Sequence, residues 1–127
     1  MNDNERKNQL GEIVNLAMDC MGLAVTIIDT KGTLLYYNQH SAIILDRKPE
    51  YIGTDIHSHH KKEDSNKKVA LMLKEFEEGR KDPFHYEAKP YGKTIFVILS
   101  PIIKNGDFIG CVQTVWPKNT VLEIELP

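Results

Sequence analysis

Cysteine is nearly absent from this chain: Cys20 and Cys111 are its only two, at no paired spacing, so neither a disulfide framework nor a dithiol redox motif is suggested and two reduced thiols are expected. Charge of one sign is scarce as well. Sixteen Lys and Arg against eighteen Asp and Glu leave a formal charge of −2, which gives no cationic field for holding phosphates, and direct nucleic-acid binding is not expected. Apolar runs such as Ile95–Leu99 are short against the ~20 residues a spanning helix needs, so no membrane segment is expected. The leading Met1–Gln9 is polar and lacks the apolar core of a secretory signal, which makes a cytoplasmic setting the expectation. Nucleophile elbow, phosphate loop and metalloprotease signatures are all missing, and Ser41, Ser58, Ser65 and Ser100 stand in no catalytic context, so the chain does not read as an enzyme. It contains no internal repeat and no low-complexity segment.

What is present suits one folded domain with its own core: 127 residues, 41% hydrophobic and 27% charged. Leu10, Ile13, Val14, Leu16, Ala17, Cys20 and Met21 recur at steps of three and four, which predicts an amphipathic helix over Glu5–Met21 ended by Gly22. Cys20 is expected to pack on that stripe as a small hydrophobe. The stripe must be covered, either by the chain's own sheet or by a second copy in a homodimer built on Leu10, Ile13, Val14 and Leu16.

The period then changes. Leu23–Asp29 and Thr33–Asn38 are rich in strand formers and flank Thr30-Lys31-Gly32, which predicts a hairpin. Asn38 is a candidate cap for a short helix through Leu45, and Arg47–Asp64 reads as turns and helical fragments. Val69, Met72, Leu73 and Phe76 mark one face of a second amphipathic helix ending at Gly79. Three strand-like runs follow at Phe84–Ala88, Lys93–Ile103 and Phe108–Trp116, the last two joined through Asn105-Gly106, a type I′ hairpin signal. Val121–Leu126 leaves three readings open: an added strand, the start of a linker helix, or a tail. The expected fold class is α+β: a five-stranded antiparallel sheet with helices on one face. The organisation is a helix over 1–21, a domain over 22–117, and a tail or linker over 118–127.

This order, together with Ile28-Asp29-Thr30-Lys31-Gly32-Thr33-Leu34-Leu35-Tyr36-Tyr37-Asn38, Tyr51-Ile52-Gly53-Thr54-Asp55-Ile56 and Asn105-Gly106-Asp107-Phe108-Ile109-Gly110, resembles the PAS sensory domain family over about Leu23–Val115. The resemblance implies a small molecule or cofactor held between the concave face of the sheet and the helices. It also implies that occupancy is passed on through flanking helices to a second copy, an output protein or an output domain. The residues expected to bind a ligand or cofactor at that apolar cavity are His60, His59, Met72, Phe76, Ile98 and Val112.

His57-Ser58-His59-His60 gathers three of the five histidines. Imidazole suits heme iron, zinc, copper or nickel, and heme-binding PAS sensors carry an axial histidine in this part of the fold, so heme is the leading candidate cofactor. His60 or His59 would bind the metal, with Met72 or a gas molecule opposite, and the absence of Cys-x-x-Cys-His makes any heme noncovalent. The same run reads equally as a solvated polar loop. Cys20 and Cys111 lie outside the helical region where the family's flavin and covalent-chromophore photosensors need a cysteine, which argues against both. Core packing is the competing reading for Tyr36, Tyr37, Tyr86, Tyr91, Phe84, Phe96 and Trp116, about half of which should point outward from the sheet. Two readings compete with small-molecule sensing: a ligand-free dimerisation module, and an enzyme using His60 with Asp64 or Glu63 as acid and base.

Overall fold

In the computed structural model, which describes residues 1–59, 63–89 and 92–117, the chain runs through α1 (Asp3–Cys20), β1 (Ala24–Ile28), β2 (Leu34–Tyr37), α2 (Gln39–Ile44), 3₁₀ turns at Pro49–Tyr51 and Ile56–His59, α3 (Glu63–Glu77), β3 (Phe84–Ala88), β4 (Ile95–Lys104) and β5 (Asp107–Pro117). The strands form one antiparallel five-stranded sheet in the order β2-β1-β5-β4-β3. The expected α+β architecture is therefore present, with the last strand threaded between the two halves. Val121–Leu126 lies outside the described residues.

Turn chemistry accounts for both tight hairpins. In the first, Asp29 Oδ1 accepts from the backbone N–H groups of Lys31 and Thr33, each at 2.9 Å, and Gly32 takes the positive φ of 89°. Burial pushes the Asp29 carboxyl up, but these amides and the Lys31 charge outweigh it and leave its pKa below the ordinary value. In the second, Asn105 and Gly106 both adopt positive φ, 52° and 85°, as a two-residue I′ connection requires.

Strand parity assigns the faces. Ala24, Thr26 and Ile28 on β1, Ile95, Val97 and Leu99 on β4, and Cys111, Gln113 and Val115 on β5 share the side that the helices cover. One apolar cluster joins Ile28, Leu34, Leu99 and Cys111 to Ile56 and to Val69, Met72, Leu73 and Phe76 of α3. A smaller one joins Ala24, Ile95, Val97 and Val115 to Ile44 and Leu45 at the end of α2. Phe76, 1% exposed, is wedged between Phe84 and Phe108, with ring centroids 5.2 and 5.6 Å away.

The outer edge of β2 is closed by the loop after it. Thr33 bridges to Asp55, the Leu34 N–H donates to Thr54 O at 2.9 Å, and the Gly53 N–H donates to Leu34 O at 2.7 Å.

Two expectations change. Helix α1 carries no buried residue, and its stripe is open, with Leu10 60% and Val14 49% exposed, so it does not fold onto the chain's own sheet. Cys20 is exposed rather than packed, on a helix that carries no buried residue.

Where β5 passes the end of β1, Gly110 sits so close that a Cβ would fall 2.6 Å from Ile28 O. Gly110→Ala therefore forces two hydrogen-bonded strands apart. It is expected to lower stability by about 2 kcal/mol in urea titration, in the range of overpacked cores, and an unchanged midpoint would contradict the close approach.

Candidate functional site

The site is built on the helix-covered face of the sheet, where the two apolar clusters meet along a polar seam. Thr26 and Gln113 are register partners on β1 and β5, and both face the helices. Thr26 Oγ1 lies 2.7 Å from the buried Ser41 Oγ of α2. Gln113 Oε1 accepts from Arg47 Nη2 at 3.4 Å, and the Gln113 side chain also lies near the Tyr86 hydroxyl on β3. Burial raises the Tyr86 pKa, while the Gln113 side chain and the Arg47 charge act in the opposite direction. Tyr86 packs against both apolar clusters and so stands at their junction.

The seam is connected to the flanking helix through Asn38, which is 1% exposed. Its Oδ1 accepts from Val25 N at 2.9 Å and from Ser41 N at 3.0 Å, capping α2 as expected. Its Nδ2 donates to Met18 O at 2.6 Å and to Leu23 O at 2.8 Å. A second tie joins the same elements, since the Gln39 N–H donates to Asp19 Oδ1 at 2.9 Å. The last turn of α1 is thus fastened to the first turn of α2. Beside this junction lies a surface cleft of about 550 Å³, lined by Asp19, Leu35, Tyr36, Ala42, Pro49 and Ile52 among others.

The residues singled out from sequence fall into three groups. Met72 and Phe76 come together in the core, but as packed members of the larger cluster. Ile98 and Val112 do not join them: one residue out of phase with Leu99 and Cys111, they lie on the outer face of the sheet, half-buried. His60, the candidate metal ligand, lies outside the described residues, as does the His59 side chain. Asp55 Oδ1 accepts from His57 N at 2.9 Å at the start of the second 3₁₀ turn. Among the described residues no group of three His, Cys, Asp or Glu side chains is placed to hold a metal ion, and Met72 is enclosed by its cluster.

The aromatic residues split as strand parity requires. Tyr37, Phe84 and Tyr86 pack against the core, while Phe96 and Trp116 meet on the outer face, 5.8 Å between ring centroids, above a shallow depression shared with His85 and Ile98. Arg47 was missed in the sequence. It follows Asp46, which takes a φ of 54°, a conformation that Asp tolerates, and is itself 7% exposed.

A family model described as PAS domain matches residues 14–116. The chain belongs to the PAS domain family, a family of sensory and signalling domains. No curated protein matches it. Among solved structures it is similar to a C-terminal domain from Streptococcus mutans, with 21% identity and a TM-score of 0.70 over 85% of this chain and 84% of that one. It is similar to the PAS domain of Bordetella pertussis BvgS, with 13% identity and a TM-score of 0.69 over 89% and 88%. It is also similar to the Cronobacter turicensis RpfR quorum-sensing receptor PAS domain, solved in complex with BDSF, with 13% identity and a TM-score of 0.59 over 77% and 95%. At these identities the likeness establishes the fold.

Two outcomes follow from the site. Asn38→Ala strands two backbone N–H groups and two carbonyls at a buried junction and is expected to cost about 3 kcal/mol or more in urea unfolding; a loss below about 1 kcal/mol would contradict the network. Burial pushes the Cys111 thiol up to about 12 while Cys20 is exposed, so iodoacetamide at about pH 8 should alkylate Cys20 alone in the native protein, as mapped by peptide mass; equal labelling of Cys111 would show that its strand is open.

Proposed function

We propose that this PAS domain is a noncatalytic sensor that takes up a small organic molecule between the helix-covered face of the sheet and α2–α3 and reports its presence through α1. One observation carries the reading: Asn38 joins the helix cap of α2, the start of β1 and the carbonyl of Met18 in α1, so a displacement of α2 cannot leave α1 where it was. Ser41 ties the same helix to the sheet through Thr26. A guest that moves α2 by an ångström would break or shorten these bonds, and packed elements answer such a shift by rearranging rather than stretching.

The receiver in this proposal is a second copy of the chain. Helix α1 exposes Leu10, Ile13, Val14 and Leu16 while burying nothing, and pairing the stripes of two copies would remove that apolar surface from water at roughly 25 cal/mol per Å². An output protein or domain could read the same helix. Among the described residues no helix is long and apolar enough to cross a membrane, and an exposed free thiol at Cys20 suits a reducing compartment, so the proposal places the domain in the cytoplasm. The RpfR domain, solved with BDSF, supports the reading to the extent that a domain of this fold takes up a small molecule.

The second reading, a dimerisation module without a ligand, is favoured by the density of the larger cluster, in which Leu34 and Cys111 are fully buried and Phe76 nearly so. Nondenaturing mass spectrometry distinguishes the two. The sensor reading expects a dimer with a small-molecule adduct, and Ile13→Asp with Leu16→Asp should yield a monomer with unchanged circular dichroism. A dimer free of adduct, whose melting temperature no small-molecule library shifts, would leave the second reading in place.

A further inference from the structure

The cleft beside the α1–α2 junction is separate from the interior: none of its lining residues is a buried member of either apolar cluster. Its volume of about 550 Å³ falls in the range of small-molecule sites. Leu35 and Ile52, 51% and 45% exposed, leave apolar surface in water on its walls. Among the described residues that line it, Asp19 alone carries a charge.

The polar groups of the lining set the sign of a guest. Asn38 has both side-chain atoms engaged twice and offers nothing further. Asp19 is different. A carboxylate has two oxygens with about four lone-pair sites, and on this exposed side chain the Gln39 N–H takes one of them at 2.9 Å. The Asp19 charge also reaches the half-buried Tyr36: burial raises the pKa of that phenol, and the neighbouring carboxylate raises it further. An acceptor-only anion, a phenol and apolar walls complement a donor that carries positive charge on an apolar body, and a tyrosine ring adds attraction for a cation. An anionic guest would meet repulsion from Asp19.

We propose that this cleft binds a small organic cation, an amine whose ammonium pairs with Asp19 and whose apolar part covers Leu35 and Ile52. The inference goes beyond the sensor reading and does not depend on it. The site nonetheless lies on the same joint. Asp19 holds the Gln39 N–H, so an ammonium on that carboxylate shares the group that ties the last turn of α1 to the first turn of α2.

The test titrates 2-phenylethylamine against 2-phenylethanol, and hexylamine against hexanol, into the full chain at neutral pH and low salt, with amide chemical shifts as the readout. An exposed ion pair adds little, so each amine is expected to bind only about threefold more tightly than its alcohol, an advantage that shrinks as salt is raised. Shifts should centre on Leu35–Gln39, with the Gln39 N–H among the largest. Asp19→Asn keeps an oxygen for that N–H but removes the charge, and should erase the advantage while leaving the alcohol's affinity unchanged. Leu35→Lys, at an exposed position, should weaken the amine by placing a like charge in the cleft. If amine and alcohol bind alike, if the preference survives Asp19→Asn, or if neither probe binds, the cation site falls. Shifts confined to Val97, Val115 and their neighbours on the helix-covered face would also overturn it, while leaving the sensor reading in place.

Discussion

The architecture depends on one amide side chain held in the interior. Asn38 has one oxygen and one nitrogen to offer, and each is used twice: the oxygen for Val25 N and Ser41 N, the nitrogen for Met18 O and Leu23 O. These four backbone groups belong to three different elements and the linker between them, and none could be left without a partner at a buried position without a penalty of about 1–3 kcal/mol each. A carboxylate could accept but not donate, and a hydroxyl is too short to reach four groups, so the junction selects an amide. With α1, β1 and α2 pinned at one point, the start of the sheet and the helix that covers it have a single relative placement.

Around that point the sheet works as a two-sided plate. One side holds the clusters and the polar seam, the other carries half-buried Ile98, Val112, Phe96 and Trp116. The side facing the helices is where binding energy could be gained, since Tyr86 touches both clusters and the Arg47–Gln113 contact lies between them. In the proposed sensor, the exposed stripe of α1 is the surface through which a change is passed on. Asn38 and the Asp19–Gln39 bond lie on the path from one to the other.

Much of this was legible in the amino-acid order. Asn105-Gly106 announced its turn because few other residues accept positive φ at two consecutive positions, and Asn38 announced a helix cap. The α3 stripe of Val69, Met72, Leu73 and Phe76 was legible because it is buried in the way its spacing implies. Ile98 and Val112 were assigned to the wrong side because in a strand rich in apolar residues on both faces the alternation carries no label, and a shift of one position reverses every side chain. The burial of Arg47 was hidden in a stretch that reads as turns and helical fragments, and the contribution of Asn38 to α1 depends on a residue twenty positions earlier, which local pattern cannot reveal. The openness of α1 was invisible for a different reason: an apolar stripe states that it needs a cover, not whose it is.

The loop clasp on β2 bears on how molecules of this kind can meet. With Thr33, Leu34 and Gly53–Asp55 already engaged, one lateral border of the sheet has its ladder occupied where β2 begins, and the opposite border is a five-residue strand preceded by Pro83. Ribbon-like stacking, border against border, is thereby discouraged at both ends. The surfaces left open among the described residues are helical and planar rather than laddered, which favours finite contacts over endless strand addition.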